Sequence, residues 1–351
     1  MSRRKKSARP LSQQPVPDFL KAKVRPPLAV ALGSPAEVAH LLTELGGVEA
    51  TCFQLDLHQA DRLRAQLAEA GVKADVVVAA DLWDLPAGFQ TVLLPAARGG
   101  ERELKIDLIE QSYHVLRDHG SLVVWSPYDA EEFFPPQMKK VFGKVHTPPH
   151  GSAEASSVLW STRDGDRPRR RHEVTFQVKL GDGPSCRFVS RPGTFSYGRF
   201  DDGARALCEI MEIEPGDRVL DLGCGVGTNG VFASQRAGEH GYIAFVDSNA
   251  RACALTELNA KANGVPKFDV FATSTVEGPQ PDSFDVAIAN PPYFANSTIA
   301  QLFIRRAKEL LTPQGKFFLV TKQPDELGDA LLEAFGKGDM VENRGYSIMC
   351  V

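Results

Sequence analysis

The chain has 351 residues, of which 43% are hydrophobic and 24% are charged, and its formal net charge is −4. This length exceeds the usual size of a single domain, so two domains are expected. No apolar run approaches the roughly 20 residues that cross a bilayer, and the N-terminus lacks the apolar centre of a signal peptide, so we expect a cytoplasmic protein rather than a membrane-spanning or secreted one.

The cysteines are scattered along the chain. They form no Cys-x-x-Cys pair, and no nearby pair of histidines has the spacing of a metal site. We therefore expect reduced thiols with structural roles and no bound metal. The cysteines are Cys52, Cys186, Cys208, Cys224, Cys253 and Cys350.

Positive charge is concentrated in residues 1–27, where eight basic side chains stand against Asp18 alone. This local charge of +7 leaves −11 for the rest of the chain. The segment has five prolines between Pro10 and Pro27 and few large apolar residues, so a disordered basic tail is predicted. Such a tail is either a solubilising segment or an arm that binds phosphates.

Strand-like and helix-like segments alternate from residue 28 to about residue 160. Ser34 and Pro35 are typical of a helix start, with serine as the N-cap and proline at the first helical position. The alternation predicts a doubly wound parallel sheet. The predicted strands are 28–32, 50–57, 74–80, 91–94 and 122–125, and the predicted helices are 35–45, 59–70 and about 104–117.

Residues 161–172 are polar and rich in arginine, which predicts a basic linker, either solvated or in contact with RNA. Alternating apolar residues on both sides of Gly181-Asp182-Gly183 then predict a β-hairpin. A helix is expected from about Asp202 to Met211. The arginines of the linker are Arg163, Arg167, Arg169, Arg170 and Arg171.

The most informative segment begins with the strand-like residues 218–222, which lead into three glycines at alternate positions. Glycine adopts backbone angles closed to other residues and leaves no side chain between the main chain and a ligand. Because a helix is predicted from Thr228, free N–H groups point at the loop, which predicts a cofactor cradle. The loop residues are Gly223, Cys224, Gly225 and Gly227, with Cys224 interpreted as a small residue that fits a tight turn.

Two further strand-like runs end in polar residues. Residues 242–246 lead to Asp247, the acidic residue that nucleoside-binding α/β folds place on ribose hydroxyls about 20 residues after the loop. Residues 284–289 lead to Asn290-Pro291-Pro292-Tyr293. Asn-Pro is a common turn dipeptide, but its position after an apolar strand and downstream of the glycine loop favours a functional site.

The Asp221-x-Gly-x-Gly-x-Gly loop together with this tetrapeptide resembles the class I S-adenosylmethionine-dependent methyltransferases that modify planar amino groups. The chain also looks duplicated, because a helix, a glycine turn and a buried strand around Gly120 recur around Gly315. The first copy has residues 31–35 in place of the glycine loop and 94–98 in place of the tetrapeptide. We therefore predict that it keeps the fold and lacks the chemistry.

From about residue 28 to residue 351, the chain most resembles the bacterial ribosomal RNA guanine-N2 methyltransferases. The resemblance implies an α/β protein with two tandem Rossmann-like class I methyltransferase folds. Residues 28–160 are then the degenerate copy, and residues 173–351 are the catalytic copy. The family usually has phenylalanine and histidine after the two prolines, where this chain has Tyr293 and Phe294.

The resemblance also implies the roles of individual residues. Asp221 would face the ammonium group of S-adenosylmethionine, Asp247 with Ser248 would hold its ribose, and Thr273 and Ser274 fall where the adenine is usually held. The predicted cofactor-binding residues are Asp221, Gly223, Cys224, Gly225, Gly227, Asp247, Ser248, Thr273, Ser274 and Asn290.

The predicted catalytic residues are those of the tetrapeptide. An exocyclic amine on a base is a poor nucleophile because its lone pair is delocalised into the ring. Acceptors for both amine hydrogens favour a pyramidal, more reactive nitrogen as positive charge develops on it. The side-chain oxygen of Asn290 and the carbonyl of Pro291 suit this task. Pro292 stiffens the loop, and Tyr293 offers a face on which the base stacks.

The predicted function is methyl transfer from S-adenosylmethionine to an exocyclic amine in RNA, foremost N2 of a guanine in ribosomal RNA. The expected partner is ribosomal RNA or a ribosomal subunit, and a monomer is favoured. Adenine-N6 and protein-glutamine methyltransferases use the same tetrapeptide and are the alternatives. A non-catalytic RNA-binding assembly protein is the alternative from another class, and the intact glycine loop argues against it.

Overall fold

The computed structural model describes residues 9–96, 99–128, 131–149, 157–292 and 298–351. The chain divides into Met1–His172 and Glu173–Val351, which we call the N-terminal unit and the C-terminal unit. No described helix combines the length and the apolar character that a membrane span requires.

The N-terminal unit is built on one sheet with helices between its strands. Its described helices and strands are α1 (Asp18–Lys23), β1 (Leu28–Ala31), α2 (Pro35–Glu44), β2 (Ala50–Gln54), α3 (Leu57–Glu69), β3 (Asp75–Val78), β4 (Phe89–Pro95), α4 (Arg102–Val115), β5 (Leu116–Trp125), α5 (Phe134–Phe142) and β6 (Val158–Thr162). The strand order is β3-β2-β1-β4-β5-β6. The first five strands pair in parallel, and β6 pairs antiparallel with β5. The predicted doubly wound parallel sheet is therefore confirmed.

The C-terminal unit repeats this arrangement behind a separate hairpin. Its described helices and strands are β7 (Val174–Val178), β8 (Cys186–Ser190), α6 (Asp202–Ile210), β9 (Arg218–Leu222), α7 (Thr228–Ala237), β10 (Tyr242–Asp247), α8 (Ala250–Ala262), β11 (Phe268–Ala272), β12 (Phe284–Ala289), α9 (Thr298–Leu310), β13 (Leu311–Thr321), α10 (Pro324–Phe335), β14 (Asp339–Asn343) and β15 (Tyr346–Cys350). The order in the main sheet is β11-β10-β9-β12-β13-β15-β14, and β7 pairs with β8 alone. The order β3-β2-β1-β4-β5 of the N-terminal unit thus recurs as β11-β10-β9-β12-β13.

Both faces of the C-terminal sheet are covered, which explains why most residues of its central strands are apolar. Val219 belongs to a core that includes side chains of α6 and α7, whereas its neighbour Leu220 belongs to a core that includes side chains of α9 and α10. Successive residues of a strand point to opposite faces. A parallel strand between two helical layers is consequently buried on both sides.

The basic segment at the N-terminus is not a disordered tail over its described part. Four aliphatic side chains of residues 9–27 are buried in a core of the N-terminal unit, and α1 lies within this segment. The prediction weighed charge and proline content and overlooked that these aliphatic residues suffice to cover an apolar surface. The four residues are Leu11, Val16, Leu20 and Val24. Residues 1–8 lie outside the described residues.

The predicted linker also differs from expectation at its start. Residues 161 and 162 are the end of β6 and hydrogen-bond within the N-terminal sheet. Beyond them, Arg167 pairs with the buried Glu110 at 3.3 Å, and the guanidinium of Arg169 lies 5.3 Å from the ring centre of Trp83. Arg167 and Arg169 therefore contact the N-terminal unit itself. Arg169, Arg170 and Arg171 are exposed, and a linker that is solvated or in contact with RNA stays a prediction for them.

Candidate functional site

The described residues of the predicted site lie at one edge of the sheet of the C-terminal unit. β9 is flanked by β10 on one side and by β12 on the other, so the strand order changes direction at β9. Open α/β sheets bind ligands outside the carboxyl ends of their strands at such a switch point. Asp221 lies in β9 and Asp247 ends β10, while Thr273 and Asn290 directly follow β11 and β12.

The glycine loop after β9 has the left-handed backbone angles that its sequence predicts. The φ angles are +71° at Gly223, +57° at Gly225 and +84° at Gly227. A Cβ added at Gly223 would lie 3.1 Å from Phe303, and one at Gly227 would lie 3.1 Å from Thr256. A Cβ at Gly225 would have no described heavy atom within 4 Å. Gly225 is therefore the loop position with open space above it, as a ligand cradle requires.

Cys224 fits the loop as a small buried residue. Its Sγ lies 3.5 Å from the hydroxyl oxygen of Thr256, and its backbone N–H donates to the carbonyl of Val246 at 3.0 Å. Burial, with smaller effects from Asp247 and Asp221, raises the pKa of this thiol well above its ordinary value. The thiol is therefore protonated at neutral pH and has no nucleophilic character.

Asp221 is fully buried, which is unusual for a carboxyl group in a strand. Its Oδ2 accepts a hydrogen bond from the backbone N–H of Gly230 at 2.9 Å, whereas Oδ1 is buried with no hydrogen-bond partner. Burial raises the pKa of this carboxyl to about 7, since the Gly230 bond offsets desolvation only in part and Asp247 adds repulsion. The structure therefore offers a buried acceptor suited to a cationic donor.

Asp247 connects the glycine loop to the start of α8. Its Oδ2 accepts from the backbone N–H of Gly225 at 2.9 Å, and its Oδ1 accepts from the backbone N–H of Asn249 at 2.8 Å. Ser248, between these two residues, is half-buried. The carboxylate that we predicted to hold a ribose thus also fixes the open glycine of the cradle.

Thr273 makes hydrogen bonds within its own turn that the sequence did not predict. Its backbone N–H donates to the carbonyl of Asp247 at 3.0 Å, and its hydroxyl oxygen accepts from the N–H groups of Thr275 and Glu277, both at 3.2 Å. The side chain therefore closes the turn after β11. Ser274 lies within that turn and is half-buried.

Asn290 is held in a defined orientation by a residue that sequence reasoning missed. Its Nδ2 donates to Oδ2 of Asp201 at 3.1 Å, and that same oxygen accepts from the backbone N–H of Ala204 at 2.9 Å. Asp201 is thus the N-cap of α6 and the anchor of the Asn290 amide. An aspartate before a helix signals a cap, but nothing in the sequence links it to a residue 89 positions away.

Pro291 and Pro292 line a narrow cleft beside Asn290. Pro291 is buried and Pro292 is exposed. The cleft has a volume of about 20 Å³, and its other lining residues come from α9, the end of β13 and α10. Tyr293, the last residue of the predicted catalytic set, lies outside the described residues.

The segment between β8 and α6 is anchored beside the cofactor edge by two residues at the start of α8. Asn249 caps α8 and donates from Nδ2 to the carbonyl of Gly193 at 2.8 Å. Arg251 is fully buried and donates to the carbonyl of Pro192. Phe195, two residues after Gly193, keeps 48% of its surface exposed. These contacts were not predicted, because a buried arginine has no local sequence signature.

The hairpin is joined to the site by two asparagine side chains that imitate a neighbouring strand. Asn259 accepts from the N–H of Val189 at 2.8 Å and donates to its carbonyl at 2.9 Å, and Asn263 makes the same pair of bonds with Arg187. Two residues along a strand cover about 6.6 Å, and four along a helix cover about 6 Å, so the spacings match. Asn259 also donates to the carbonyl of Val226 at 2.9 Å in the glycine loop.

The corresponding loop of the N-terminal unit is shorter and filled. Residues 32–34 separate β1 from α2, whereas residues 223–227 separate β9 from α7. A Cβ added at Gly33 would lie 2.7 Å from Pro95 and 2.9 Å from Val38. At the end of β2, where β10 has Asp247, the buried Gln54 donates to the carbonyl of Gly33 at 3.3 Å. No open cradle is left at this position.

Comparison with known proteins identifies the C-terminal unit. Residues 185–350 match the family model of the methyltransferase small domain. The chain is 36% identical over 160 residues to a protein of Chromohalobacter salexigens named Ribosomal RNA small subunit methyltransferase C, covering 42% of this chain and 45% of that protein. It is 28% identical over 268 residues to the protein of the same name from Vibrio vulnificus, covering 75% and 68%. The chain spans about half the length of most of the curated relatives it matches.

A solved structure supports the same fold over the full chain. The T. thermophilus 16S rRNA N2 G1207 methyltransferase, in complex with AdoMet and guanosine, superposes with a TM-score of 0.74 at 20% identity, covering 97% of this chain and 92% of that one. The prediction of two tandem Rossmann-like methyltransferase folds is confirmed. The family match agrees with the family that the glycine loop and the tetrapeptide predicted.

Proposed function

We propose that this chain, whose residues 185–350 match the family model of the methyltransferase small domain, transfers a methyl group from S-adenosylmethionine to N2 of a guanine in ribosomal RNA. The names of its relatives, which refer to the small ribosomal subunit, support that subunit as the substrate. Methyl transfer then takes place in the cytoplasm, on free ribosomal RNA or on an assembling ribosomal subunit.

The main support for this function is that two features lie at the ends of adjacent strands. One is the glycine loop, where Gly225 has open space and donates to the carboxylate of Asp247, and where the preceding strand holds the buried Asp221 with its unpaired Oδ1. The other is the amide of Asn290, held by Asp201 after the neighbouring strand β12. A cofactor site and an amine-recognition site side by side are what methyl transfer to a base nitrogen requires.

The residues of the cradle fit S-adenosylmethionine. Asp221 accepts the ammonium group of its methionine part at Oδ1, which restores the ionised state of a carboxyl whose pKa burial raises to about 7. Asp247 and Ser248 would hold the ribose hydroxyls, and the loop of Gly223, Cys224, Gly225 and Gly227 would form the floor of the cofactor site. Thr273 and Ser274 line the adenine side. When bound, the cofactor supplies a methyl group activated by a sulfonium.

Asn290 and Pro291 act on the nitrogen that receives the methyl group. The side-chain oxygen of Asn290 and the carbonyl of Pro291 accept the two amine hydrogens, which holds the nitrogen in line and stabilises the positive charge that develops on it. The bond from Nδ2 to Asp201 turns the amide so that its oxygen, not its NH₂ group, serves as the acceptor. Pro292 stiffens this loop, and Tyr293 stacks on the base.

The test is methyl transfer with product identification. Small-subunit RNA and subunits that lack the modification are incubated with the protein and labelled S-adenosylmethionine, and the RNA is then digested to nucleosides for mass spectrometry. The proposal expects N2-methylguanosine. Finding N6-methyladenosine would favour the adenine alternative, and label in a protein glutamine would favour the protein substrate. Cofactor binding without any transfer would favour the non-catalytic assembly protein.

A further inference from the structure

The N-terminal unit has a cleft of its own at the carboxyl edge of its sheet. Its volume is about 160 Å³, and it lies between the segment after β4, the start of α4, the segment after β5 and the start of α5. The lining residues are Ala96, Gly99, Gly100, Arg102, Lys105, Tyr128, Glu131, Phe133 and Phe134.

This cleft is the structural counterpart of the one beside Asn290. In the C-terminal unit, the lining comes from the segment after β12, from α9, from the end of β13 and from α10. β4, α4, β5 and α5 follow one another in the same order and at the same positions of the sheet. The N-terminal unit has therefore kept a cleft at this position, although Pro95 and Val38 fill the space at its glycine loop.

The side chains of the retained cleft are cationic and aromatic. The guanidinium of the exposed Arg102 lies 4.6 Å from the ring centre of Phe133, and Lys105 is half-buried beside it, donating to the carbonyl of Gly99. Tyr128 keeps 39% of its surface exposed. Stacking rings next to guanidinium and ammonium groups are the elements with which proteins bind single-stranded nucleic acid.

Glu131, the acidic residue of the lining, is occupied in the local structure. One of its oxygens accepts from the hydroxyl of the buried Ser126, and the other accepts from the backbone N–H of Phe133 at 2.8 Å and of Phe134 at 3.3 Å. Glu131 therefore binds the first backbone N–H groups at the start of α5. With this carboxylate engaged by these donors, the described side chains of the lining offer chiefly cations and rings to a nucleotide.

We propose that this cleft binds one nucleotide of the substrate RNA without reading its identity, with the base stacked on Tyr128 and the phosphate bonded by Arg102 and Lys105. The inference rests on the proposed function, since it takes the substrate to be RNA. The degenerate copy then holds the RNA at a point away from the target base. Its contribution is to binding, and the chemical step is left to the C-terminal unit.

The test measures RNA binding by the full chain, independently of methyl transfer. Fluorescence anisotropy follows a labelled single-stranded RNA oligonucleotide over a range of salt concentrations. Tyr128→Ala should raise the Kd about 5-fold to 150-fold, the range for loss of one stacked base. The double variant Arg102→Gln with Lys105→Gln should reduce the slope of log Kd against log salt by about 0.7 for the lost phosphate contact.

A matched control removes the same charge from another groove of the same unit. Arg64 and Lys73 line a groove of about 340 Å³ on the N-terminal unit, and replacing both with glutamine should leave the Kd and the salt slope at the values of the parent. Tyr128→Phe keeps the ring and should restore binding. That variant separates loss of stacking from a fold defect, as does an unchanged midpoint of thermal unfolding in every variant.

Several results would overturn the inference. They are parental RNA affinity in Tyr128→Ala, an equal loss in the Arg64 and Lys73 control, no RNA binding by the parent, and free guanosine monophosphate binding as tightly as the oligonucleotide. If the variants lose RNA binding as expected while the parent never forms N2-methylguanosine, the cleft stands and the proposed function fails.

Discussion

The loops after β1 and β9 occupy the same position in two copies of one fold, yet only the second is open to a ligand. In both loops, the first residue after the strand has a positive φ, +59° at Leu32 and +71° at Gly223. Its backbone N–H donates to a carbonyl of the neighbouring strand, that of Phe53 in β2 or of Val246 in β10. The second loop is two residues longer and leaves Gly225 uncovered, whereas Pro95 and Val38 fill the space at Gly33.

A second difference lies within the two strands. Asp221 of β9 and Val30 of β1 occupy equivalent positions. In the strand pairing, Asp221 lies opposite Phe245 of β10, and Val30 lies opposite Cys52 of β2. Both side chains are fully buried. A valine there contributes apolar burial, whereas a carboxyl with a raised pKa costs stability. The sheet therefore tolerates either residue at this position. A bound ligand would compensate for the stability that the buried carboxyl costs.

Valine substitutions at the two loop glycines should have the largest effects, and the effect should differ between the two units. Gly225→Val puts a branched side chain into the cradle at a φ of +57° and should reduce S-adenosylmethionine binding below detection. Gly33→Val meets Pro95 at 2.7 Å and should lower the thermal stability while leaving cofactor affinity unchanged. Calorimetric titration and thermal unfolding measure the two effects. Unchanged cofactor affinity in Gly225→Val would mean that the cradle is misassigned.

Asn290→Ala should separate catalysis from binding. The substitution removes an acceptor for the reacting amine and leaves the glycine loop and Asp247 in place. We expect the single-turnover rate on under-methylated RNA to fall about 100-fold or more, as when one preorganised transition-state hydrogen bond is lost. The affinity for S-adenosylmethionine is the control and should match the parent. A variant as fast as the parent would refute the role of Asn290 in amine recognition.

Asp221 should make cofactor binding depend on pH. In the folded protein without ligand its pKa is raised to about 7 from 3.8, so the folded state binds more protons than the unfolded state between these values. Stability of the ligand-free protein should therefore fall as pH rises through this window. Because the ammonium group needs the ionised carboxyl, affinity should rise about tenfold from pH 6 to pH 8. Titrations at both pH values test this, and an equal pH dependence in Asp221→Asn would contradict it.

Asp201 should have the smallest effect, because it acts through Asn290. Asp201→Ala removes the acceptor of the Nδ2 bond and the cap of α6, and we expect the single-turnover rate to fall about 2-fold to 10-fold, the equivalent of one ordinary hydrogen bond. Asp201→Asn keeps an oxygen acceptor for both bonds and should retain most of the rate. If both variants lost cofactor affinity and rate together, the residue would have only a structural role.

The predictions that held depend on patterns within a short stretch of chain. The pattern of apolar residues predicted strands in both units. Ser34 and Pro35 predicted the start of α2, and the spaced glycines predicted the left-handed loop. Each of these features follows from the conformations open to a few consecutive residues. The parallel pairing of the strands then followed from the alternation of strands and helices along the chain.

The predictions that failed concern which distant surfaces a segment covers. Residues 9–27 looked too polar and too rich in proline to fold, but Leu11 and Leu20 are fully buried because the N-terminal unit offers them an apolar surface. In the arginine-rich segment, composition likewise did not indicate that Arg167 pairs with the buried Glu110. Composition does not report the presence of such a surface, which forms only when the rest of the unit folds.

Local sequence thus specified the two sheets, the glycine cradle and the position of Asn290 at a strand end, because backbone sterics and burial on alternate faces act between near neighbours. The orientation of the Asn290 amide by Asp201, the asparagine ladder of Asn259 and Asn263 along β8, and the closure of the N-terminal cradle by Pro95 depended on tertiary packing. Each of these joins groups far apart in the chain, and only the folded topology brings them within hydrogen-bond or van der Waals distance.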